Sequence, residues 1–302
     1  MAESVEWRLI YEGDGVRVGD YRCACRDCGL GREEHSEANE IVFPRRGVFT
    51  KHLSNRGRFV VDANHVVFFN RHEPYRISHP AAERDRCTTL YLQAQILQEV
   101  LAARDPRVAD RPERPFEHSH APSSAAAAAL HAQLLRRIAA DASPDLQIDE
   151  LAISLAAVSV SHLQVRLDRD RNSRTRAAHL DLVEHAQVAL AQTFRTNLAL
   201  AKLAARVHSS PFHLARVFRR QSGHSLHGYR VRLRLRAALD QLADGNVDLT
   251  HVALDCGFFD QSHFCNAFRR EFGKSPRELL RPGCRRQLRE MSTNLQVQIV
   301  RR

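Results

Sequence analysis

The stretch ALDCGFFDQSHFCNAFRREFGKSP, residues 253–276, decides the fold of the C-terminal part of this 302-residue chain. Thr250 can cap a short helix that runs to Cys256, and Gly257 supplies a tight turn. Asp260 can cap the helix that follows. The stretch therefore predicts a short helix, a turn and a second helix.

The second of these helices has two different faces. Helical spacing places Phe264, Ala267 and Phe268 on the inside. The opposite face carries small and hydrogen-bonding side chains that suit a DNA major groove, namely Gln261, Ser262, Cys265, Asn266 and Arg269. A short buried helix followed by a polar-faced helix is typical of a DNA-binding helix-turn-helix.

The same unit occurs once earlier in the chain. A shift of 50 residues places the pattern FRRxxGxS of 218–225 on 268–275. The earlier unit joins a helix over 198–206 to a helix that Ser210 caps, with Pro211 at its first position. The residues that its shorter helix turns inward are Leu200, Leu203 and Ala204. Basic residues near the ends of the longer helices suit phosphate contacts: Arg219, Arg220, Arg269, Arg270 and Lys274.

Residues 180–281 resemble the DNA-binding domain of the AraC/XylS family of transcription regulators, most specifically over 253–276. The resemblance implies two helix-turn-helix units joined by a long helix over 226–242, with both recognition helices in successive major grooves. Carried over by position, it assigns base contacts to Phe212, Ala215, Arg216, Gln261, Ser262, Cys265 and Asn266. Family members often carry a longer polar residue where this chain has Ala215, which argues against direct readout there.

The resemblance also implies a cupin-like β-barrel domain before the DNA reader, which binds an effector or mediates dimerisation. Double-stranded DNA and RNA polymerase are the expected partners, with an unidentified small-molecule or metal effector, and a homodimer is left open. The expected function is a sequence-specific transcription regulator, controlled by its effector, that is not an enzyme.

The charge is unevenly distributed. The net charge is +10, yet residues 1–175 hold 24 Lys and Arg against 25 Asp and Glu, whereas residues 176–302 hold 21 against 10. The basic excess therefore lies in the helical part, where nucleic acid is the leading polyanionic partner. A basic surface that only keeps the protein soluble, and binds no nucleic acid, would show the same excess of charge.

The first hundred residues predict β structure, which favours a sandwich or small barrel. Short apolar runs lie at 15–21, 40–50, 58–61, 65–69 and 87–92. Residues 102–123 have loop composition, and helices over 125–140 and 144–167 follow. The fold class is therefore α+β, a β-barrel domain with helices followed by an all-α domain.

The highly charged segment 167–176 divides the chain into a sensing or dimerisation domain over 1–170 and a DNA-binding domain over 177–283. The helix before this segment carries an apolar stripe that packs either on its own domain or on a second copy. The stripe consists of Leu146, Leu151, Leu155, Val158, His162 and Val165.

Three cysteines lie within six residues, at Cys23, Cys25 and Cys28. They could bind zinc or another soft metal, with His35 or Cys87 as the fourth ligand. Neighbouring arginines would also favour thiolates in a redox sensor. Ordinary packing is the third interpretation of these thiols.

Other functions find less support in the sequence. No His-x-His followed closely by Glu occurs in residues 1–100, which argues against a cupin oxygenase, and no nucleophilic triad or phosphate loop stands out. A metal- or thiol-responsive regulator and a bifunctional DNA alkylation-response protein with a reactive cysteine remain as alternatives. The start of the chain lacks a secretory signal pattern and no apolar run could cross a bilayer, so a cytoplasmic location without membrane contact is expected.

Overall fold

The computed structural model describes residues 5–24, 29–54, 57–81, 84–140, 145–161, 173–245 and 248–279. Its strands are β1 Val5–Glu12, β2 Val16–Cys23, β3 Glu40–Arg46, β4 Phe49–Leu53, β5 Gly57–Val61, β6 His65–Phe69, β7 Arg76–Ser78, β8 Asp85–Leu92 and β9 His120–Pro122. Its helices are α1 Ala94–Ala102, α2 Ala125–Ala140, α3 Asp145–Val160, α4 Ser173–Thr193, α5 Leu200–Arg206, α6 Pro211–Ser222, α7 Leu226–Ala243, α8 Leu249–Asp255, α9 Gln261–Phe272 and α10 Pro276–Leu279. The predicted α+β class is confirmed.

Two antiparallel sheets form the N-terminal domain. The larger has the strand order β1-β2-β8-β3-β6-β9, and the smaller has the order β5-β4-β7. Because side chains alternate along a strand, one face of the large sheet packs on α1 to α3, with Ile41 in a core shared with Leu151. The other face turns to the small sheet, where Val42 and Phe69 share a core with Phe49.

The apolar run predicted over 40–50 is two strands in different sheets. Gly47 lies between β3 and β4 with a φ of +82°. A Cβ on Gly47 would collide with the carboxylate of Asp85. The glycine therefore makes the sharp turn through which the chain leaves one sheet for the other.

Several short elements lie where the sequence indicated no regular structure. The predicted loop over 102–123 contains a 3-10 turn at Pro106–Asp110 and the edge strand β9. Helix α1 and strand β1 were also not predicted. The alternation of Val5, Trp7 and Leu9 would have indicated β1, an edge strand whose residues are largely exposed.

The apolar stripe of α3 is part of the core of its own domain. Leu151 is 1% exposed and Leu155 is fully buried. Leu146 was expected on the same face and is instead exposed, while His162 and Val165 lie outside the described residues. Packing of this stripe on its own domain is therefore confirmed at Leu151 and Leu155.

Helix α7 is the central element of the C-terminal part and confirms the long helix predicted over 226–242. Tyr229 and Leu233 pack in one core with α4, α5 and α6. Leu239 and Leu242 pack in another with α8 and α9, and this core also includes residues of α2. The predicted limits 1–170 and 177–283 stay predictions, since residues 162–172 lie outside the described part of the chain. None of the described helices combines the length and apolarity needed to cross a bilayer.

Candidate DNA-binding surface and effector cavity

Helices α6 and α9 begin with the caps that the sequence predicts. The Ser210 hydroxyl accepts a hydrogen bond from the backbone N–H of His213 at 3.2 Å, and Pro211 is the first helical residue. The Asp260 carboxylate accepts one from the backbone N–H of His263 at 2.6 Å. Equivalent caps at both helices confirm that one structural unit occurs twice.

Both helices also end in the same way. Gly223 and Gly273 have φ values of +74° and +72°, in the left-handed region that glycine adopts without steric cost. Their backbone N–H groups donate to the carbonyl oxygens of Arg219 and Arg269, at 3.0 and 2.8 Å. The glycines therefore end the helices just beyond their basic residues.

The shorter helices begin differently from the prediction. Asp248, rather than Thr250, caps α8, and its carboxylate accepts bonds from the backbone N–H groups of Thr250 and His251 at 2.9 and 3.1 Å. The Thr250 hydroxyl instead donates to the side-chain oxygen of Gln261 at 2.9 Å. Thr250 therefore orients the first residue of α9. Leu200, expected inside, is 43% exposed at the start of α5.

The inner faces of α6 and α9 are packed as predicted. Leu214 and Phe218 of α6 are fully buried, as are Phe264 and Phe268 of α9. Ala267 is half-buried. These contacts fix which face of each helix points outward.

The outer faces of α6 and α9 carry the residues for which a DNA contact is predicted, except Lys274, which follows the Gly273 that ends α9. The exposed members are Phe212, Arg216, Arg219, Arg220, Gln261, Ser262, Asn266, Arg269 and Arg270, and the half-buried members are Ala215, Cys265 and Lys274. Phe212 is 79% exposed. Burial raises the pKa of the Cys265 thiol, so this residue presents a neutral group. Phe259, directly before the cap of α9, is 85% exposed and was not predicted.

A buried ionic cluster joins the β domain to α7. Arg45, at the end of β3, donates to Asp240, to Asp244 at 2.8 Å and to Asp20 at 3.4 Å. The side chain of Arg45 is 4% exposed and that of Asp240 is 3% exposed. We call the ion-paired group Arg45, Asp20, Asp240 and Asp244 the interdomain cluster.

Two further arginines extend the interdomain cluster. Arg46 donates to Asp240 at 2.8 Å, and Arg86 of β8 donates to both Asp20 and Asp244 at 3.0 Å. Burial alone would raise the pKa of Asp20, but hydrogen bonds from Arg86 and Arg22 outweigh it and lower that pKa. Asp20 is therefore a carboxylate at neutral pH.

Arg45 and Arg46 lie within the apolar run noted over 40–50, and the sequence by itself indicated no role for them. Ile41 and Phe43 lie on the face of β3 that packs on the helices, and Arg45 continues that alternation. A charged residue on the buried, apolar face of a strand was the sequence signal that could have identified this contact.

Further hydrogen bonds hold α7 in the same position. The Tyr229 hydroxyl donates to Asp62 at 2.6 Å, and the Asn64 amide donates to the Tyr229 carbonyl at 3.4 Å. Arg236 donates to the carbonyl of Ser123 at 3.0 Å. The helix that joins the two helix-turn-helix units is thus bound along its length to the N-terminal domain.

A cavity of about 660 Å³ lies between the two sheets. Aromatic residues form much of its wall, namely Tyr21, Phe49, Phe69 and Tyr75. Glu34, Glu40 and Thr89 supply hydrogen-bonding groups. Burial raises the pKa of Glu40. The cavity therefore combines an apolar interior with a few polar groups, as small-molecule sites do.

An ion pair lies in the same wall. Nε2 of His79 is 2.9 Å from the Asp85 carboxylate, and both side chains are largely buried. Burial alone would lower the pKa of His79, but its bonds to Asp85 and Cys23 outweigh that and raise it to about 10. His79 is therefore protonated at neutral pH.

The predicted cysteine ligands lie partly in this region. Cys23 and Cys87 are buried on neighbouring strands, and Cys87 lines the cavity. Burial raises the pKa of Cys87 well above its usual value, which disfavours the thiolate that a metal requires. Cys25 and Cys28 lie outside the described residues, so a site formed by all four cysteines stays a prediction.

Comparison with known proteins agrees with this architecture. The profile of the AraC-like ligand binding domain matches residues 35–156, and that of a helix-turn-helix domain matches residues 203–282. The two matched profiles identify the class as a transcription regulator with a ligand-binding domain and a helix-turn-helix domain. The chain belongs to the AraC/XylS family.

Curated relatives match over part of the chain. The transcriptional activator RhaS of Escherichia fergusonii is 36% identical over 115 residues, which are 37% of this chain and 38% of the relative. RhaS of Mannheimia succiniciproducens is 39% identical over 66 residues, 22% of this chain and 25% of the relative. The chain thus spans well under half the length of these relatives.

The solved structures that the chain matches have low similarity to it. ToxT of Vibrio cholerae O395 is 10% identical with a TM-score of 0.37, over 90% of this chain and 100% of that chain. A probable AraC family regulator of Rhodopseudomonas palustris is 29% identical with a TM-score of 0.31, over 33% of this chain and 94% of that chain.

Proposed function

We propose that this protein controls promoters by reading duplex DNA with both helix-turn-helix units, under the control of a small molecule bound in the N-terminal cavity. The observation that carries the proposal is the pair of equivalently capped helices, α6 and α9, with buried apolar faces and exposed polar faces. DNA and RNA polymerase are the proposed partners, and the cytoplasm is the proposed place of action. The proposed role involves no catalytic step by this chain.

The exposed residues divide into two kinds of DNA contact. The proposed base contacts come from Phe212, Ala215, Arg216, Gln261, Ser262, Cys265 and Asn266, with Gln261 oriented by Thr250. The proposed phosphate contacts come from Arg219, Arg220, Arg269, Arg270 and Lys274. Phosphate contacts release counterions, so the logarithm of the association constant should fall steeply with the logarithm of the salt concentration.

Two arginine variants test this division. Arg216→Ala should cost about 1–3 kcal/mol of binding to the operator and relax specificity at one or two base pairs. Arg270→Ala should weaken binding to all sequences equally and reduce the salt slope by about 1. The measurement is fluorescence anisotropy of the full chain on operators recovered by genome-wide mapping of bound DNA.

Arg107→Ala is the control, because this exposed arginine lies in the N-terminal domain and pairs with Asp105. It should leave DNA affinity unchanged. Equal losses on operator and random DNA for Arg216→Ala would show that Arg216 contacts only phosphate. Binding by the wild type that barely responds to salt would overturn the proposal of DNA binding itself.

The cavity indicates the kind of effector. Its aromatic wall suits an apolar chain or ring, and Glu34, Glu40 and Thr89 suit hydrogen-bonding substituents. The volume of about 660 Å³ fits a small molecule rather than a peptide segment. Effector binding could reach the DNA reader through β2, β3 and β8, because these strands form the cavity wall on one face and the interdomain cluster on the other.

Filling the cavity tests the effector site. Val42 lines it, so Val42→Phe should occupy part of the space that the effector needs. We expect DNA affinity within about twofold of the wild type and loss of the promoter response to the inducing growth condition in a reporter strain. Val42→Ile, which adds only one methylene, is the matched control and should respond normally. A Val42→Phe protein that responds like the wild type would place the effector elsewhere.

A further inference from the structure

Two histidines and a glutamate converge outside the cavity, on residues that the proposed function does not use. Nε2 of His35 lies 3.1 Å from a carboxylate oxygen of Glu37. The rings of His35 and His72 lie side by side, with centroids 5.8 Å apart and planes inclined by 56°. In the described part of the chain, these three side chains alone form a group of potential metal ligands whose ligand atoms all lie within 4.8 Å of one another.

Backbone hydrogen bonds fix the two segments that carry these residues. Glu34 and Tyr75 exchange two bonds, of 2.8 and 2.9 Å, and the N–H of His72 donates to the carbonyl of Ser36 at 2.9 Å. The ligands are therefore brought together by paired backbone on both sides. Because the two segments are already held in place, metal binding would have a lower entropic cost of ordering the backbone.

The backbone of His72 is also unusual. His72 has a φ of +57°, in the left-handed region that residues other than glycine adopt uncommonly. In this conformation the His72 ring lies beside that of His35. All three side chains are exposed, so water has access to complete a coordination shell.

We propose that His35, Glu37 and His72 bind one divalent transition-metal ion. Two imidazole nitrogens and one carboxylate oxygen suit Zn²⁺, Ni²⁺, Co²⁺ or Cu²⁺, whereas Ca²⁺ and Mg²⁺ prefer oxygen ligands alone. Three protein ligands leave a position for water. The site differs from the cysteine site that the sequence predicted, although His35 was named there as a candidate fourth ligand.

The site adjoins the rim of the cavity. Glu34 and Tyr75 line the cavity and lie one and three residues from His35 and His72. A bound ion would cross-link the two segments and stiffen this part of the wall. Metal and effector should therefore affect each other's affinity by the same factor. This coupling rests on the proposed effector cavity, whereas metal binding does not depend on it.

Calorimetry with Zn²⁺ on the full-length protein without an affinity tag tests the site. The wild type should bind one ion per chain at this site, and His35→Gln, Glu37→Gln and His72→Gln should each weaken binding. Loss of a supporting residue outside the ligand shell already costs about 10–100-fold in affinity, so loss of a ligand should cost at least as much. His208→Gln is the matched control, because His208 is also exposed and has a φ of +52°.

Cobalt distinguishes this site from the thiols. Co²⁺ bound to thiolates gives intense sulfur-to-metal charge-transfer absorption, whereas binding to imidazole and carboxylate does not. We expect the weak visible bands of a site without sulfur, abolished by His72→Gln and retained when Cys23, Cys25 and Cys28 are replaced by serine. Charge-transfer bands lost only in the cysteine variant, or equal Zn²⁺ affinity in His72→Gln and His208→Gln, would overturn the proposal. Both readouts are independent of DNA and effector, so the proposed function can fail while this site stands.

Discussion

Arg45→Met is expected to lower the free energy of unfolding by about 3–5 kcal/mol, the usual cost of removing one partner from a buried ion pair. The variant keeps much of the side-chain volume but leaves Asp240, whose side chain is 3% exposed, with fewer partners. Asp240 lies on α7, so the contact between the two domains should weaken most. Denaturant unfolding followed by circular dichroism and by the fluorescence of Trp7, the single tryptophan, should show two transitions where the wild type shows one.

Arg22→Met is the control for this effect. Arg22 also pairs with Asp20, at 2.8 Å, but its side chain is 53% exposed. Exposed pairs contribute about 0–1 kcal/mol, so little change is expected. The double variant Arg45→Met, Asp240→Leu should recover much of the stability, because it removes the buried charge as well. Equal effects of the two single variants would show that the interdomain cluster does not hold the domains together.

Gly257→Ala is expected to cost about 2–5 kcal/mol and to abolish specific DNA binding. Gly257 lies in the turn before α9 with a φ of +85°, where any other residue is strained. A Cβ there would also collide with the backbone carbonyl of Arg195. Because backbone cannot move aside as a flexible side chain can, α8 and α9 would have to shift. The measurements are melting temperature and operator affinity of the full chain.

Gly273→Ala separates the cost of the left-handed backbone conformation from the cost of the steric collision. Gly273 has a similar φ of +72°, but a Cβ there would meet open space. This variant should show the conformational cost alone, about 1–2 kcal/mol, and keep specific DNA binding. If Gly257→Ala and Gly273→Ala were equally mild, the turn would tolerate displacement and the fixed orientation of α9 would not matter for recognition.

The DNA-binding half was predictable because its signals are local. Ser210 and Asp260 cap helices only a few residues away, and the spacing of Phe264 and Phe268 fixes one helix face. At the start of α8, however, the capping rule selected the wrong residue. Asp248 and Thr250 are both good capping residues, and the carboxylate two positions earlier took that role, which left the Thr250 hydroxyl to Gln261.

The N-terminal half was predictable only as β structure. Alternation identified most strands, but it cannot state which strands pair, and the turn at Gly47 divided one apolar run between two sheets. The stripe of α3 likewise allowed two partners, and the structure places Leu151 and Leu155 in the core of their own domain. An apolar face indicates that its residues are buried, but it does not indicate which part of the molecule they pack against.

By itself, the sequence determined the repeated helix-turn-helix, the caps of its longer helices and its outward residues, because each depends on contacts within about a dozen positions. Only the tertiary structure decided the interdomain cluster, the cavity and the group formed by His35, Glu37 and His72. Arg45 and Asp240 are 195 residues apart in sequence. Side chains so distant meet only after the sheets and the helices have packed together, and no local pattern records that packing.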